Sequence, residues 1–261
     1  MLAPTWRDAA EHPLTQDTLR ALLDNEIPAI RIAGFATEAE CDAFARATAQ
    51  AEMRTYSVAR KIGFIGLAQY EYRWNRSKSD YFRDAAAAEG ARDAVLAGSF
   101  DALGRFMDML RANWDHPVGF AEEDGHRYYG GIIRNASEGV DLHVDWAPLN
   151  APTYAIGAID GQLGWNFYAQ DLIEGGDTTV YNAPWDPEVA PGEIPKSYGL
   201  ERGIIEGAPA FAFRATKGDV VIFNTRNPHE IGGGRSGPGR ERISIGSFVG
   251  RMPDGRLVLW S

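Results

Sequence analysis

From Tyr128 to the end of the chain, short apolar stretches alternate with turn signals, and this pattern limits the available folds more than any other feature. Glycine-containing turns such as Asp160-Gly161 and Lys217-Gly218 separate the stretches. We predict strands over residues 128–135, 141–145, 154–159, 165–169, 178–181, 210–215, 219–224 and 242–249, with an edge strand at 257–260. Many short strands with regular turns are typical of a double-sheet jelly roll or a barrel.

The first part of the chain carries helix signals instead. Thr37 and Glu40 have the spacing of a capping box, and Ser99 is placed to cap a second helix. Apolar residues recur at helical spacing after both caps. We therefore expect the N-terminal helices to pack on one sheet of the jelly roll, which gives an α+β fold.

These two parts are expected to form a single domain over residues 1–261. Residues 1–127 would be a mainly helical support, and residues 128–261 would be the jelly-roll core. Residues 182–209 contain several Pro and Gly and show little periodicity, so we predict a long loop inserted into that core.

The composition argues against several classes of partner. A net charge of −10 without a basic tract is unsuited to binding a nucleic-acid polymer. The single cysteine, Cys41, excludes an intramolecular disulfide and fits a reducing compartment. No stretch reaches the roughly 18 apolar residues of a membrane helix, and the first residues lack the apolar run of a signal peptide. We expect a cytoplasmic protein that binds a small molecule and no membrane; the sequence does not determine its oligomeric state.

A metal site is predicted around the stretch 141–146. His143 and Asp145 are two positions apart, so on a strand they point to the same face. His229 is the best candidate for a third ligand. Two histidines and one carboxylate with the other metal positions open are typical of non-haem Fe(II) oxygenases. The alternative is that these residues are polar core groups without a metal.

A second constellation follows His229. Arg242 and Ser244 share one face of a predicted strand, and a buried Arg beside a hydroxyl is a good clamp for a carboxylate because the guanidinium can bind it bidentately. Arg240 has the same strand parity and stays open as the alternative clamp.

Residues 52–82 mix aromatic and cationic side chains, among them Arg73 and Trp74. They could form part of a pocket for an anionic or flat substrate, or a strand pair and loop that cover the core. Arg134 lies on the strand before the metal motif and could face the pocket or the solvent. Trp146 is a further candidate for substrate contact, with a core position as the alternative.

The sequence resembles the Fe(II)/2-oxoglutarate-dependent dioxygenases of the double-stranded β-helix fold. Their motif is His-x-Asp, a distal His, and Arg-x-Ser about a dozen residues later, as in residues 143–145, 229 and 242–244 here. Within them it is most similar to the carrier-free group that includes hapalindole-type aliphatic halogenases and N-acyl amino-acid hydroxylases. That closer similarity is carried by residues 80–82, 185–188, 218–224 and 259–261. The resemblance covers roughly residues 27–261.

The resemblance implies that His143, Asp145 and His229 bind Fe(II), and that Arg242 with Ser244 binds the distal carboxylate of the co-substrate 2-oxoglutarate. With O2 as the other co-substrate, the products would include succinate and CO2. One departure matters: the halogenases of the group have Gly where this chain has Asp145, which leaves room there for chloride. The resemblance therefore implies hydroxylation rather than halogenation.

The resulting hypothesis is a dioxygenase that hydroxylates an unactivated C–H bond of a small molecule. The substrate would bear a carboxylate or a ring, as an N-substituted amino acid does. One alternative is a non-catalytic cupin-like protein that binds a metal or ligand, although such a protein does not need Arg242-Ile243-Ser244. Another is an oxygenase that desaturates or cyclises its substrate.

Overall fold

The computed structural model describes residues 5–56, 62–73, 76–185 and 199–261. Most of its helical residues lie in the first half of the chain. The α-helices are α1 Gln16–Leu23, α2 Glu38–Gln50, α3 Lys78–Ala97, α4 Ala102–Ala112 and the short α5 Ala147–Asn150. Three single turns of 3₁₀-helix cover Gln69–Tyr72, Ala155–Ala158 and Arg202–Ile205.

A large mixed sheet crosses the molecule. Along its main path the strands are β1 Glu11–His12, β2 Ala29–Ile32, β14 Val220–Asn224, β10 Gly161–Tyr168, β17 Ile243–Arg251, β8 Ile132–Asn135, β4 Gly63–Ile65 and β3 Arg54–Thr55. Strand β18 Leu257–Trp260 pairs with β17, and β5 Val118–Phe120 pairs with β18. We call this the major sheet. Strands β1 to β5 all precede residue 127, so both parts of the chain contribute to it.

The second layer is a four-stranded minor sheet. Its order is β13 Ala210–Phe213, β12 Thr178–Tyr181, β15 His229–Ile231 and β9 Val140–His143. Two small pairs complete the described strands: β6 Glu122–Glu123 with β7 His126–Arg127, and β11 Glu174–Gly175 with β16 Gly234–Arg235. The two layers agree with the predicted jelly-roll type of fold. No helix in the described ranges is long and apolar enough to cross a bilayer.

Most strand predictions in the second half are confirmed, and 178–181 and 257–260 match to the residue. The strand predicted at 154–159 is wrong, because Ala155–Ala158 form a 3₁₀ turn in which Gly157 N–H donates to Tyr154 O. Three of these four residues are Ala or Gly, which have little preference for strands. The strand predicted at 128–135 begins only at Ile132, after Gly131 adopts a left-handed conformation with φ +80°.

The first predicted helix cap is confirmed and the second is wrong. Thr37 and Glu40 form the capping box of α2, each accepting the other's backbone N–H. Helix α4 is capped by Asp101, which accepts from Gly104 N–H at 2.8 Å. Ser99 instead donates to Val95 O in the last turn of α3, a helix whose extent the sequence did not indicate. Of the loop predicted over 182–209, residues 186–198 lie outside the described residues, and 202–205 form a 3₁₀ turn.

The largest apolar cluster joins the helices to the major sheet. It contains buried residues of α1, α2 and α4 together with buried residues of β10, β14 and β17. Phe106 of α4 stacks on Trp165 of β10 with ring centroids 4.0 Å apart. Because side chains alternate along a strand, the opposite face of β10 turns toward the minor sheet. Gly164 and Asn166, on that opposite face, line the cavity that contains the site.

Candidate active site

A cavity of about 130 Å³ opens between the two sheets. Its wall includes His143 and His229 from the minor sheet and Asn166 and Ser244 from the major sheet. Apolar residues fill much of the remaining wall, among them Val140, Ile62, Phe223 and Ile231. A concave, mostly apolar site with a few convergent polar groups is the usual form of a small-molecule site.

The predicted metal ligands meet in this cavity. Strands β9 and β15 pair so that His143 lies directly opposite His229, and Asp145 follows two positions after His143. The Asp145 Oδ2 atom is 3.5 Å from His143 Nε2 and 3.7 Å from His229 Nε2. One ligand atom from each residue lies within 4.8 Å of the others. The structure therefore brings together all three residues that the sequence singled out.

Backbone carbonyls fix the orientation of both imidazoles. His143 Nδ1 is 2.6 Å from Asp141 O, and His229 Nδ1 is 2.9 Å from Asn227 O. A carbonyl can only accept, so each Nδ1 carries the proton and each Nε2 presents its lone pair to the cavity. Metal-binding histidines are commonly oriented by such bonds. The donor set thus fits a divalent iron site of the two-histidine, one-carboxylate type.

The electrostatics favour the metal-binding protonation states. Burial alone would raise the pKa of Asp145, but the adjacent His143 and His229 outweigh it and hold that pKa well below its usual range. Burial lowers the pKa of His229, and the neighbouring His143 lowers it further. A carboxylate and a neutral imidazole are the forms that bind a metal.

Arg242 lies beyond the metal ligands and is 3% exposed. Its Nη2 donates to Thr178 Oγ1 at 3.1 Å and lies 3.4 Å from Tyr168 OH, and its guanidinium lies over the Tyr168 ring. Burial lowers the pKa of Arg242; Tyr168 opposes this shift and Arg134 adds to it. Among the described residues it forms no ion pair with a carboxylate. A buried guanidinium with only neutral partners is a strong site for an anion.

Ser244 follows Arg242 by two positions and lines the same cavity, as the shared strand face predicted. Arg240 does not reach it. Arg240 lies in a turn paired with Gly237. Its guanidinium bonds to the backbone oxygens of Asp171 and Leu172 outside the cavity. This placement favours Arg242 over Arg240, and the role of Arg242 as the clamp stays a prediction.

The four predicted substrate residues are placed differently. Arg134 lines the cavity, where its Nε donates to Tyr56 OH at 3.0 Å. Trp146 also lines the cavity and is buried, with the Arg226 guanidinium over its ring at 4.8 Å. Arg73 does not line it, and stacks at 5.3 Å on Tyr70, which does. Trp74 lies outside the described residues.

Sequence reasoning missed Tyr168 and Thr178, which are hydrogen-bond partners of the buried Arg242. Tyr168 is on the cavity face of β10, and Thr178 begins the strand after the glycine turn at 175–176. Their strands were predicted, but pairing between distant strands brings them to Arg242, and no local pattern carries that information.

Comparison with known proteins agrees with this site. A model of the family described as carrier-protein-independent halogenase WelO5 matches residues 7–261. Leucinostatins biosynthesis cluster protein S of Purpureocillium lilacinum is 30% identical over 211 residues, which cover 77% of this chain and 86% of that protein. The L-gamma-glutamyl-L-propargylglycine hydroxylase of Streptantibioticus cattleyicolor is 29% identical over 204 residues, covering 76% and 73% of the two chains.

Among solved structures, an N-substituted L-amino acid dioxygenase from Burkholderia ambifaria has the same fold. Its TM-score is 0.61 at 14% identity, and the match covers 95% of this chain and 92% of that one. The same enzyme was also solved in complex with alpha-ketoglutarate, that is, 2-oxoglutarate. The chain therefore belongs to the carrier-protein-independent halogenase WelO5 family, and it is a 2-oxoglutarate-dependent dioxygenase that uses Fe(II), 2-oxoglutarate and O2.

Proposed function

We propose that the chain is a single dioxygenase domain that hydroxylates an unactivated C–H bond of a small, carboxylate-bearing molecule and releases succinate and CO2. The observation that carries this proposal is the complete His143, Asp145, His229 set beside the buried Arg242. A protein that only binds a metal does not need a buried guanidinium without an acidic partner.

Asp145 supports hydroxylation over halogenation. Its carboxylate lies 3.5 and 3.7 Å from the two imidazoles, where it would supply the third protein ligand to a bound iron. The halogenases that the chain resembles have Gly there, and chloride takes the vacant position. The hydroxylase from Streptantibioticus cattleyicolor among the relatives is consistent with this outcome.

In the proposed mechanism, His143, Asp145 and His229 hold iron, and Arg242 with Ser244 binds the distal carboxylate of 2-oxoglutarate. When bound, iron and 2-oxoglutarate supply the oxidising chemistry that breaks the substrate C–H bond. The protein's residues orient and enclose the reactants. The two carbonyl-bound imidazoles keep their Nε2 atoms fixed, and apolar side chains such as Phe223 exclude water from the reacting atoms.

We assign the substrate carboxylate to Arg134. This guanidinium faces the same cavity as Arg242, and Tyr56 OH accepts from its Nε, which fixes its orientation. Two cations among the described residues of one small cavity suit two anionic ligands, and the second of these would be the substrate. Trp146 offers an aromatic wall, and its Nε1 has no hydrogen-bond partner within the described residues, so it can donate to a polar atom of the substrate.

An N-substituted amino acid or a dipeptide has these features. The named substrate of one relative is a γ-glutamyl dipeptide, and one structural neighbour is a dioxygenase of N-substituted amino acids. Arg73, outside the cavity, would act only through Tyr70.

The test is a mass-spectrometric screen with purified protein, Fe(II), 2-oxoglutarate and O2. Each N-acyl amino acid or dipeptide is offered as the free acid and as its methyl ester. We expect products one oxygen atom heavier from free acids, with matching succinate, and little turnover of the esters. Equal turnover of acids and esters would contradict the carboxylate assignment. Absence of succinate formation under all conditions would contradict the dioxygenase assignment itself.

A further inference from the structure

The loop that carries His229 is attached to the N-terminal helix. Residues 225–228 connect β14 to β15. Two asparagines, Asn224 at the end of β14 and Asn227 in the connection, reach the end of α1. Asn224 Nδ2 donates to Leu22 O at 3.1 Å, and Asn227 Nδ2 donates to Asn25 Oδ1 at 2.6 Å. Asn25 lies directly after the helix, two positions beyond Leu23. The loop is thus anchored at both ends to residues about 200 positions earlier in the chain (227 − 25 = 202).

The same loop contacts two of the three metal ligands through its backbone. Thr225 O accepts from Asp145 N–H at 3.0 Å, and Asn227 O accepts from His229 Nδ1 at 2.9 Å. Asn227 therefore joins the two contacts: its side chain bonds to Asn25 and its carbonyl orients His229. A shift of this residue would rotate the imidazole.

The backbone conformation and the side-chain hydrogen bonds of Asn25 both suit an asparagine at this position. Its φ of +61° is a left-handed conformation, which asparagine tolerates better than most residues. Its Oδ1 accepts from Trp6 Nε1 at 3.1 Å as well as from Asn227, and its Nδ2 donates to Asn182 Oδ1 at 3.0 Å. Asn25, Asn182 and Asn227 are all buried.

The hydrogen bond that Asn227 donates to Asn25 determines the orientation of the Asn227 side chain. In the described part of the chain, Asn227 Oδ1 has no hydrogen-bond partner, so the bond from Nδ2 to Asn25 is the side-chain hydrogen bond that fixes this buried amide. Leaving a buried donor without a hydrogen-bond partner strongly destabilises the folded protein. Without Asn25, the loop would have to rearrange to satisfy Asn227, and the Asn227 carbonyl would move with it.

We infer that Asn25 is a positioning residue for iron binding, which acts through Asn227 to orient the imidazole of His229. The inference rests on the proposed function, because it takes His229 as an iron ligand. It adds that the N-terminal segment, far from the catalytic motif in sequence, helps to set the affinity of the site for metal. Loss of residues that orient metal ligands commonly weakens metal binding by about 10–100-fold.

The experiment titrates metal-free full-length protein with Co(II), a coloured substitute for Fe(II), and follows visible absorbance. Thermal unfolding of the metal-free protein is measured in parallel. The test variant is Asn25→Gly, since glycine keeps the left-handed backbone and removes the amide. The matched control is Asn182→Ala, which removes the acceptor of the Asn25 Nδ2 bond and leaves the bond from Asn227 to Asn25 Oδ1 in place.

We expect Asn25→Gly to weaken Co(II) binding by about tenfold and to change the intensity of the Co(II) bands. Asn182→Ala should lower the unfolding temperature while Co(II) binding stays within about twofold of the unaltered protein. If both variants weaken binding equally, general loosening explains the loss and the inference is overturned. Unchanged binding in Asn25→Gly overturns it as well.

Asn25→Asp keeps the inference testable should Asn25→Gly fail to fold. It retains the oxygen that accepts from Asn227 and changes only the group that faces Asn182, so its Co(II) affinity should stay within about threefold of the unaltered protein. A tenfold loss in this variant would overturn the inference. Failure of the unaltered protein to bind Co(II) or Fe(II) would instead refute the proposed function, which separates the two failures.

Discussion

At the scale of single residues, Arg242 and Arg240 make a matched pair. Arg242 is buried and donates hydrogen bonds to the neutral side chains of Thr178 and Tyr168, whereas Arg240 has a side chain that is 44% exposed and is already paired with Asp171. Arg242→Ala would leave a bound carboxylate without its partner, at a cost of roughly 2–5 kcal/mol. We expect the apparent affinity for 2-oxoglutarate to fall at least about tenfold, since about 1.4 kcal/mol corresponds to that factor.

The measurement is the 2-oxoglutarate dependence of succinate formation. Arg240→Ala serves as the control and should leave the apparent affinity within about twofold. Loss of affinity in Arg240→Ala together with normal affinity in Arg242→Ala would show that the clamp lies elsewhere.

Asp145 makes the second residue-scale prediction. It supplies the carboxylate of the three-residue set, so Asp145→Gly should lose most hydroxylation and most metal affinity. In chloride buffer the variant should gain at most weak chlorination, because halide transfer also depends on how surrounding groups orient the reactants. Product masses from the native protein and the variant decide the matter. Chlorinated product from the native protein, or full hydroxylation by the variant, would contradict the role given to Asp145.

At the scale of elements, the start of α2 has a pH dependence of its own. Hydrogen bonds from Arg105 and from the Thr37 backbone hold the pKa of Glu40 at about 2, below its ordinary 4.5. A lowered carboxyl pKa stabilises the fold above pH 4.5, and this contribution is lost as the pH falls toward about 2. Solvent screening limits the contribution to about 1 kcal/mol or less.

Glu40→Gln should therefore lower the free energy of unfolding at pH 7, and the difference from the unaltered protein should shrink as the pH falls below 4.5. Denaturant unfolding at several pH values measures it. Glu38→Gln is the control, since Glu38 lies in the same helical turn and its side chain is 87% exposed. An equal loss at pH 3 and pH 7 would contradict the assignment.

Local patterns predicted those elements whose structure is decided locally. The α2 capping box and the strands at 178–181 and 257–260 follow from residue type and spacing. The strand predicted at 154–159 failed because apolar content alone does not separate a strand from a buried 3₁₀ turn. Ser99 failed as a cap because a competing carbonyl, Val95 O, takes its hydroxyl.

The candidate site likewise contains residues that the sequence indicates and residues that only the fold brings together. His143, Asp145, His229 and Arg242 stand out in the sequence because their chemistry requires those residue types. Tyr168 and Thr178 do not, since hydroxyl groups are common and only the pairing of distant strands brings these two to Arg242. Strand parity alone could not separate Arg240 from Arg242, because the turn that directs Arg240 to Asp171 and Leu172 depends on contacts about 70 positions apart (240 − 171 = 69).

At the scale of the whole molecule, the combined site for metal and 2-oxoglutarate draws residues from both layers, so its occupation should report on global stability. His143 and His229 belong to the minor sheet, and Arg242 lies just before a strand of the major sheet. A ligand that binds only the folded state stabilises it, by about 2.7 kcal/mol at 100 times its dissociation constant. Co(II) with 2-oxoglutarate should therefore raise the unfolding temperature, and a chelator should reverse the rise.

The control for this shift is His229→Ala, which removes one of the three protein ligands. Its unfolding temperature should not respond to Co(II). His116→Ala, in which the altered side chain is 45% exposed and outside the cavity, should respond as the unaltered protein does. A similar rise in both variants would mean that the metal binds somewhere other than the predicted site.

The pairing of β2 with β14 has a consequence for biosynthesis. Ile32 pairs with Val220, 188 positions later (220 − 32). At about 5–20 residues per second, a ribosome delivers that partner roughly 10–40 s after β2 itself. During that interval the edge of β2 that faces β14 is unpaired, although β1 can already pair with its other edge, and Asn25 lacks its contact with Asn227. The metal site can therefore be completed only late in synthesis, and a chain that ends before residue 220 would lack both β14 and His229.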